Sequence, residues 1–131
     1  MKKEIINCKK APAPIGPYSQ AVSFNGMLFI SGQIALDVDT GSLVDGDIKA
    51  ESEQVMKNLQ AILLKSNSGF SHVLKTSIFL SNMDDFAAVN EVYAKFFKDT
   101  PPARETIAVS TLPMNVNVEI SMIAVIPGTE F

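Results

Sequence analysis

Two ionic residues stand where their chemistry has a use. Arg104 directly follows Pro101-Pro102-Ala103. Proline fixes its own φ and restrains the residue before it, so the approach to Arg104 is stiff. A guanidinium held there can grip a carboxylate with two parallel hydrogen bonds. The plain alternative is a surface arginine, where most arginines lie. Glu119 sits in NVNVEISMIAVI, whose even positions Val116, Val118, Ile120, Met122 and Ala124 are all apolar. Glu119 falls on the other strand face with Asn117 and Ser121, then Ile123 and Val125. A carboxylate on a half-apolar face is partly desolvated, which raises its pKa and suits it to proton transfer. A solvent-facing strand residue fits the same pattern.

Other residues qualify less sharply. Tyr18 lies in the proline-rich stretch APAPIGPYSQ, where it can line a pocket or anchor the arm. Ser31-Gly32 ends a strand, and glycine there lets backbone approach a ligand or merely serves a turn. Asn90 lies one residue off an apolar helical stripe, a place that faces solvent or bonds locally. Thr106 shares the strand face of Arg104, whereas Glu105 points the other way. His72 at a strand start has no serine or cysteine elbow to serve. Cys8 reads as an ordinary thiol, and the six methionines read as core filler.

The elements that must position these residues follow from composition and pattern. The chain has 131 residues, 47% of them apolar and 19% charged, with mean hydropathy +0.18. That suits one domain spanning 1–131 and excludes disorder. It leaves little charge to coat a monomer. The net charge is −3 and no basic stripe appears, which disfavours nucleic acid. One cysteine and one histidine permit no internal disulfide and no zinc cluster. MKKEIINCKK has no apolar run after its lysines, and no stretch approaches a membrane span. A reduced, cytoplasmic protein is the expectation.

Asn25-Gly26 between apolar runs predicts a hairpin joining 20–24 to 27–31. Asp47 caps a helix over 48–66, with Val55, Leu59, Ile62 and Leu63 on one face, and Asn67-Ser68-Gly69 ends it. Residues 73–80 read as a strand. Asn82 caps a second helix with the stripe Phe86, Val89, Tyr93, Phe96 and Phe97. Strands follow at 104–109 and 116–126. Right-handed crossovers put both helices on one face of a mixed α/β sheet. MLFIS and SIFL are apolar at neighbouring positions, hence on both faces. The second face therefore needs a cover, and a closed oligomer is expected.

IGPYSQA (15–21), SGQI (31–34), the expected helix MDDFAAVNEVYAKFF (83–97), PPAR (101–104), and VEI with IAV (118–120, 123–125) occur in order. Together they resemble the Rid family, also called YjgF or reactive intermediate/imine deaminase A, over about residues 5 to 126. The resemblance implies a chorismate-mutase-like α/β fold: a mixed sheet with two helices on one face. It also implies a homotrimer with a central barrel-like core and sites between subunits. The activity implied is cofactor-free hydrolysis of enamine and imine acids, such as 2-aminoacrylate and 2-iminopropanoate, to 2-oxo acids and ammonia. Arg104 then matches the carboxylate clamp and Glu119 the residue beside the attacking water. Tyr18, Ser31, Gly32 and Asn90 match pocket positions, and the Thr106 backbone N–H would help hold the carboxylate. Glu105 replaces a small residue common after the arginine, and Ser121-Met122 replaces a common Glu-Ala pair. Two other classes stay open: an RNA-directed endoribonuclease of translation-inhibitor type, and a non-catalytic module binding small carboxylates or unfolded clients.

Overall fold

The computed structural model describes residues 2–128; Met1 and the last three residues, the ends of the expected 1–131 domain, lie outside the described residues. The strands are β1 (Glu4–Ile6), β2 (Ala21–Phe24), β3 (Met27–Gln33), β4 (Val73–Leu80), β5 (Ala103–Ala108) and β6 (Val118–Val125). The helices are α1 (Ile48–Lys65) and α2 (Phe86–Ala94). The sheet order is β1-β2-β3-β6-β4-β5, antiparallel except for the β4–β5 pair.

Local chemistry explains most boundaries. Asn25 and Gly26 take φ of 56° and 79°, as a two-residue hairpin turn requires, and Phe24 faces Met27 across it. The Asp47 carboxylate accepts from Ala50 N at 2.9 Å and caps α1. At the far end Asn67, not Gly69, takes the left-handed conformation with φ 59°. Ser68 N then bonds Leu63 O at 2.8 Å and Asn67 N bonds Leu64 O at 3.1 Å, which satisfies the last carbonyls. Asn82 caps a 3₁₀ turn (Met83–Asp85) rather than α2 itself. The helix starts only at Phe86 and stops at Ala94, so Phe96 and Phe97 lie beyond it. Phe97 still packs on Tyr93 with ring centroids 4.7 Å apart. Pattern alone does not announce β1. It is three residues long and exists by pairing with β2, Ile5 opposite Val22.

Both helices cover the same sheet face, as the crossover rule requires. Leu28, Ile30, Ile78, Leu80, Val118, Ile120, Met122 and Ala124 meet Val55, Leu59, Ile62, Leu63, Val89 and Tyr93 in one core. Truncating a fully buried member such as Leu59 costs about 2–5 kcal/mol. The other face is open over most of its width, with Phe29 42% and Ile107 46% exposed. Among the described residues, one end is shielded, where Leu112 and Val116 pack with Phe79 and Ile34.

Candidate active site

The carboxylate half of the site forms at the end of β3. The β3–β6 register slips between Ile30 and Gln33, so Ser31 and Gly32 sit in an irregular stretch opposite Ser121, two residues along β6 from Glu119. The Glu119 side chain lies over Gly32. A Cβ at Gly32 would sit 2.8 Å from Glu119 Cδ and 3.0 Å from its Cγ, so glycine lets the carboxylate lie here and any side chain would push it aside. Glu51 anchors the start of this strand from α1. Its carboxylate accepts from Asn117 N and Asn117 Nδ2, both at 2.8 Å, and from Val118 N at 3.2 Å.

The proline-rich arm closes the same cavity. Its prolines cannot donate to a ladder, and the buried Gln20 side chain takes over that work. Gln20 Nε2 donates to Pro12 O at 2.8 Å and Cys8 O at 3.0 Å, and Oε1 accepts from Cys8 N at 2.6 Å. Ser31 Oγ donates to Ser19 O at 2.6 Å. The cavity is about 410 Å³, walled by Pro12, Ala13, Ile15, Tyr18, Leu36 and Pro113, with Glu119 among its lining. Tyr18 is half exposed at its mouth. Ser31 and Gln20 spend their polar atoms on holding the arm. The Glu119 carboxylate has no hydrogen-bond or ion-pair partner among the described residues. Burial pushes its pKa up, the direction expected of a proton acceptor in apolar surroundings.

The guanidinium half forms elsewhere. Arg104 on β5 lies beside Thr76 of β4. Phe86, Asn90 and Tyr93 of α2, spaced by four and three residues, share the helix face above it. Arg104 Cζ lies 5.6 Å from the Phe86 ring centroid and 5.0 Å from that of Tyr93, and Nη1 donates to Asn90 Oδ1 at 2.6 Å. Thr106 follows on the same face, and its Oγ1 is buried without a partner. No carboxylate among the described residues pairs with Arg104. Glu105 points away, as alternation predicts. It binds the Ser77 hydroxyl and, at 2.9 Å, Lys75 Nζ, and these contacts lower its pKa, the Ser77 bond most.

The structure therefore gathers the predicted residues into two sets, Glu119 with Tyr18, Ser31 and Gly32, and Arg104 with Asn90 and Thr106. It does not bring the sets together within one chain. Arg104 pairs with Thr76 and Glu119 with Phe79. These β4 residues are three apart, so the two charged groups project from opposite sheet faces. Sequence reading missed Gln20 as the clamp of the arm. It also missed Phe86 and Tyr93 as the rings beneath Arg104, although their spacing from Asn90 was the available signal. His72 ends a 3₁₀ turn (Phe70–His72), and the buried Cys8 thiol approaches Ala61 O at 3.5 Å; neither enters either set.

A family model described as Endoribonuclease L-PSP matches residues 8–126. The chain belongs to the Rid (YjgF) family. Its Rid relatives carry several kinds of name. DfrA of Myxococcus xanthus is 50% identical over 127 residues, covering 95% of this chain and 97% of DfrA. The 2-iminobutanoate/2-iminopropanoate deaminase of Mus musculus is 45% identical over 123 residues, covering 94% of this chain and 91% of the mouse protein. The crystal structure of the Rid protein YyfA from Yersinia pestis superposes with a TM-score of 0.92 at 47% identity, covering 95% of this chain and 99% of YyfA. Among the described residues no three His, Cys, Asp or Glu side chains group as a metal site, and no helix is long and apolar enough to cross a membrane.

Proposed function

We propose that this Rid protein hydrolyses reactive 2-imino acids, such as the imine formed from 2-aminoacrylate, to 2-oxo acids and ammonia in the cytoplasm, with no cofactor. One observation carries the reading. The chain holds two opposite charges ready for a ligand, each without an ionic partner, on faces that one copy cannot unite. A second copy supplies the missing half, and the open apolar face gives that copy a surface to bury, in a closed oligomer such as a trimer. The deaminase names of relatives at 44–45% identity support the same chemistry.

The steps then follow. The substrate carboxylate lies on the Arg104 guanidinium and the Thr106 backbone N–H, which fixes its C2 carbon. Glu119 of the neighbouring copy takes a proton from water as the water oxygen adds to the electrophilic iminium carbon. The protonated Glu119 returns that proton to the nitrogen of the resulting carbinolamine. The C–N bond then breaks with its electrons leaving on ammonia, and the freed Glu119 carboxylate takes the hydroxyl proton as C=O forms, to pass it on to solvent. Little more is needed, because an iminium carbon is already electrophilic. Positioning and one proton acceptor supply the catalysis.

The test is release of ammonia and 2-oxo acid from imines generated by an L-amino acid oxidase, with semicarbazide trapping what remains. Faster release and less trapping with wild type, and neither with Arg104→Ala, support the reading. A wild type equal to buffer across several side chains overturns it. The family description favours a second reading, cleavage of RNA. The net charge of −3 opposes it, and a steep salt dependence of RNA binding would revive it. Binding of small carboxylates through Arg104 without turnover would leave a binding module.

A further inference from the structure

We propose that the rings of Phe86 and Tyr93, backed by Thr76, are a positioning platform that sets the plane of the Arg104 guanidinium before any ligand arrives. The proposal rests on the reading above only in giving Arg104 a carboxylate to bind. Arg104 lies on an edge strand and is exposed, so an unheld side chain there would sample many rotamers. A ligand that needs one of them binds more weakly in proportion to how rarely it is populated.

A carboxylate partner is one way to fix an exposed arginine. Here a carboxylate would neutralise the guanidinium and compete with the acid it must bind. The structure uses neutral groups instead. The cation lies over two ring faces, 5.6 and 5.0 Å from their centroids, and one N–H is capped by the Asn90 amide oxygen. The charge is held without being cancelled. The platform is itself fixed from behind. Tyr93 is 6% exposed, and its hydroxyl meets the fully buried Thr76 Oγ1 at 2.8 Å. Desolvation raises the Tyr93 pKa, which keeps the phenol neutral beneath the cation. Phe86, 38% exposed, is the outer rim.

The measurement is titration of pyruvate into the intact protein by calorimetry, alongside kcat and KM for imine hydrolysis. Phe86→Leu and Tyr93→Leu are expected to weaken pyruvate binding and raise KM about tenfold, with kcat within about twofold of wild type. Tyr93→Phe keeps the ring and is expected to restore most of the affinity. A purely structural role would lower the melting temperature and the active fraction but leave KM unmoved. If Tyr93→Leu fails to fold, Phe86→Leu at the rim carries the test alone. Leucine variants that bind pyruvate like wild type, beside an Arg104→Ala that does not, overturn the platform and leave the clamp standing. An Arg104→Ala that binds like wild type removes the clamp and the platform with it. A wild type that binds pyruvate through Arg104 yet hydrolyses no imine overturns the deaminase reading, while the same titration still decides the platform.

Discussion

The two halves of the candidate site prepare their charges in opposite ways. Glu119 is placed in an apolar cavity and left without a partner, so its protonation equilibrium is shifted. Arg104 stays near solvent and is given rings and an amide oxygen, so its orientation is restrained. A proton acceptor needs a displaced pKa, and desolvation supplies it. A carboxylate clamp is permanently charged and needs only direction. On the proposed function, the fold serves the first role through a β-bulge and a proline arm, and the second through one face of a nine-residue helix.

The sharpest way to break this division is to remove each charge. Arg104→Ala and Glu119→Gln should each lower kcat/KM by more than about 100-fold. The arginine loss should show largely in KM and the glutamate loss largely in kcat. A mixed oligomer made by co-expressing the two variants sharpens it further. If each site draws its halves from two copies, random assembly restores about a quarter of the sites, because each half has an even chance of being intact. Activity no higher than that of the separate variants would show that the halves do not meet between copies.

Next in size is Gly32→Ala. Its Cβ would sit 2.8 Å from Glu119 Cδ, so the carboxylate must swing aside. A fall in kcat of about tenfold is expected, since small misplacement of a catalytic group is costly, with KM nearly unchanged because Arg104 is untouched.

The pH dependence has a definite sign. In the proposed reaction Glu119 must be ionised to accept a proton, and its pKa is raised by burial. The acid limb of kcat/KM should therefore lie above the range of an ordinary glutamate and disappear in Glu119→Gln. Stability runs the other way. A folded-state pKa above the unfolded one gives a contribution that is full below the unfolded pKa and is lost as pH rises through the folded value. At neutral pH the ionised carboxylate is a burden, so Glu119→Gln should melt slightly higher than wild type, by no more than about a few degrees.

Much of this arrangement was legible from sequence, and the failures have a common cause. Asn25-Gly26, the Asp47 cap and the apolar stripe of α1 are local signals, and the chain obeys them. Alternation correctly put Thr106 with Arg104 and Glu105 opposite. What the sequence withheld depends on partners distant along the chain. β1 exists only because β2 offers an edge. Gln20 is a clamp only because Cys8 and Pro12 fold back onto it. That Arg104 and Glu119 face opposite ways follows from the registers of β5 and β6 against β4, which no local pattern encodes.

The smallest expected effect tests the boundary between the two halves. Glu105 is the covalent neighbour of Arg104 but shares the open face with Glu119, and its contacts are Ser77 and Lys75. An ion pair this exposed contributes little by itself. Glu105→Ser should therefore leave kcat/KM within about twofold of wild type, despite lying one residue from the clamp. The reason is the pleat: one step along β5 crosses the sheet. A loss above about tenfold would mean that the Lys75–Glu105 pair reaches a site through the open face. The pair would then lie beneath the second copy on that face rather than in water. The same substitution assayed at low and high salt separates the two arrangements. A pair covered by a second copy is screened far less than one left in water.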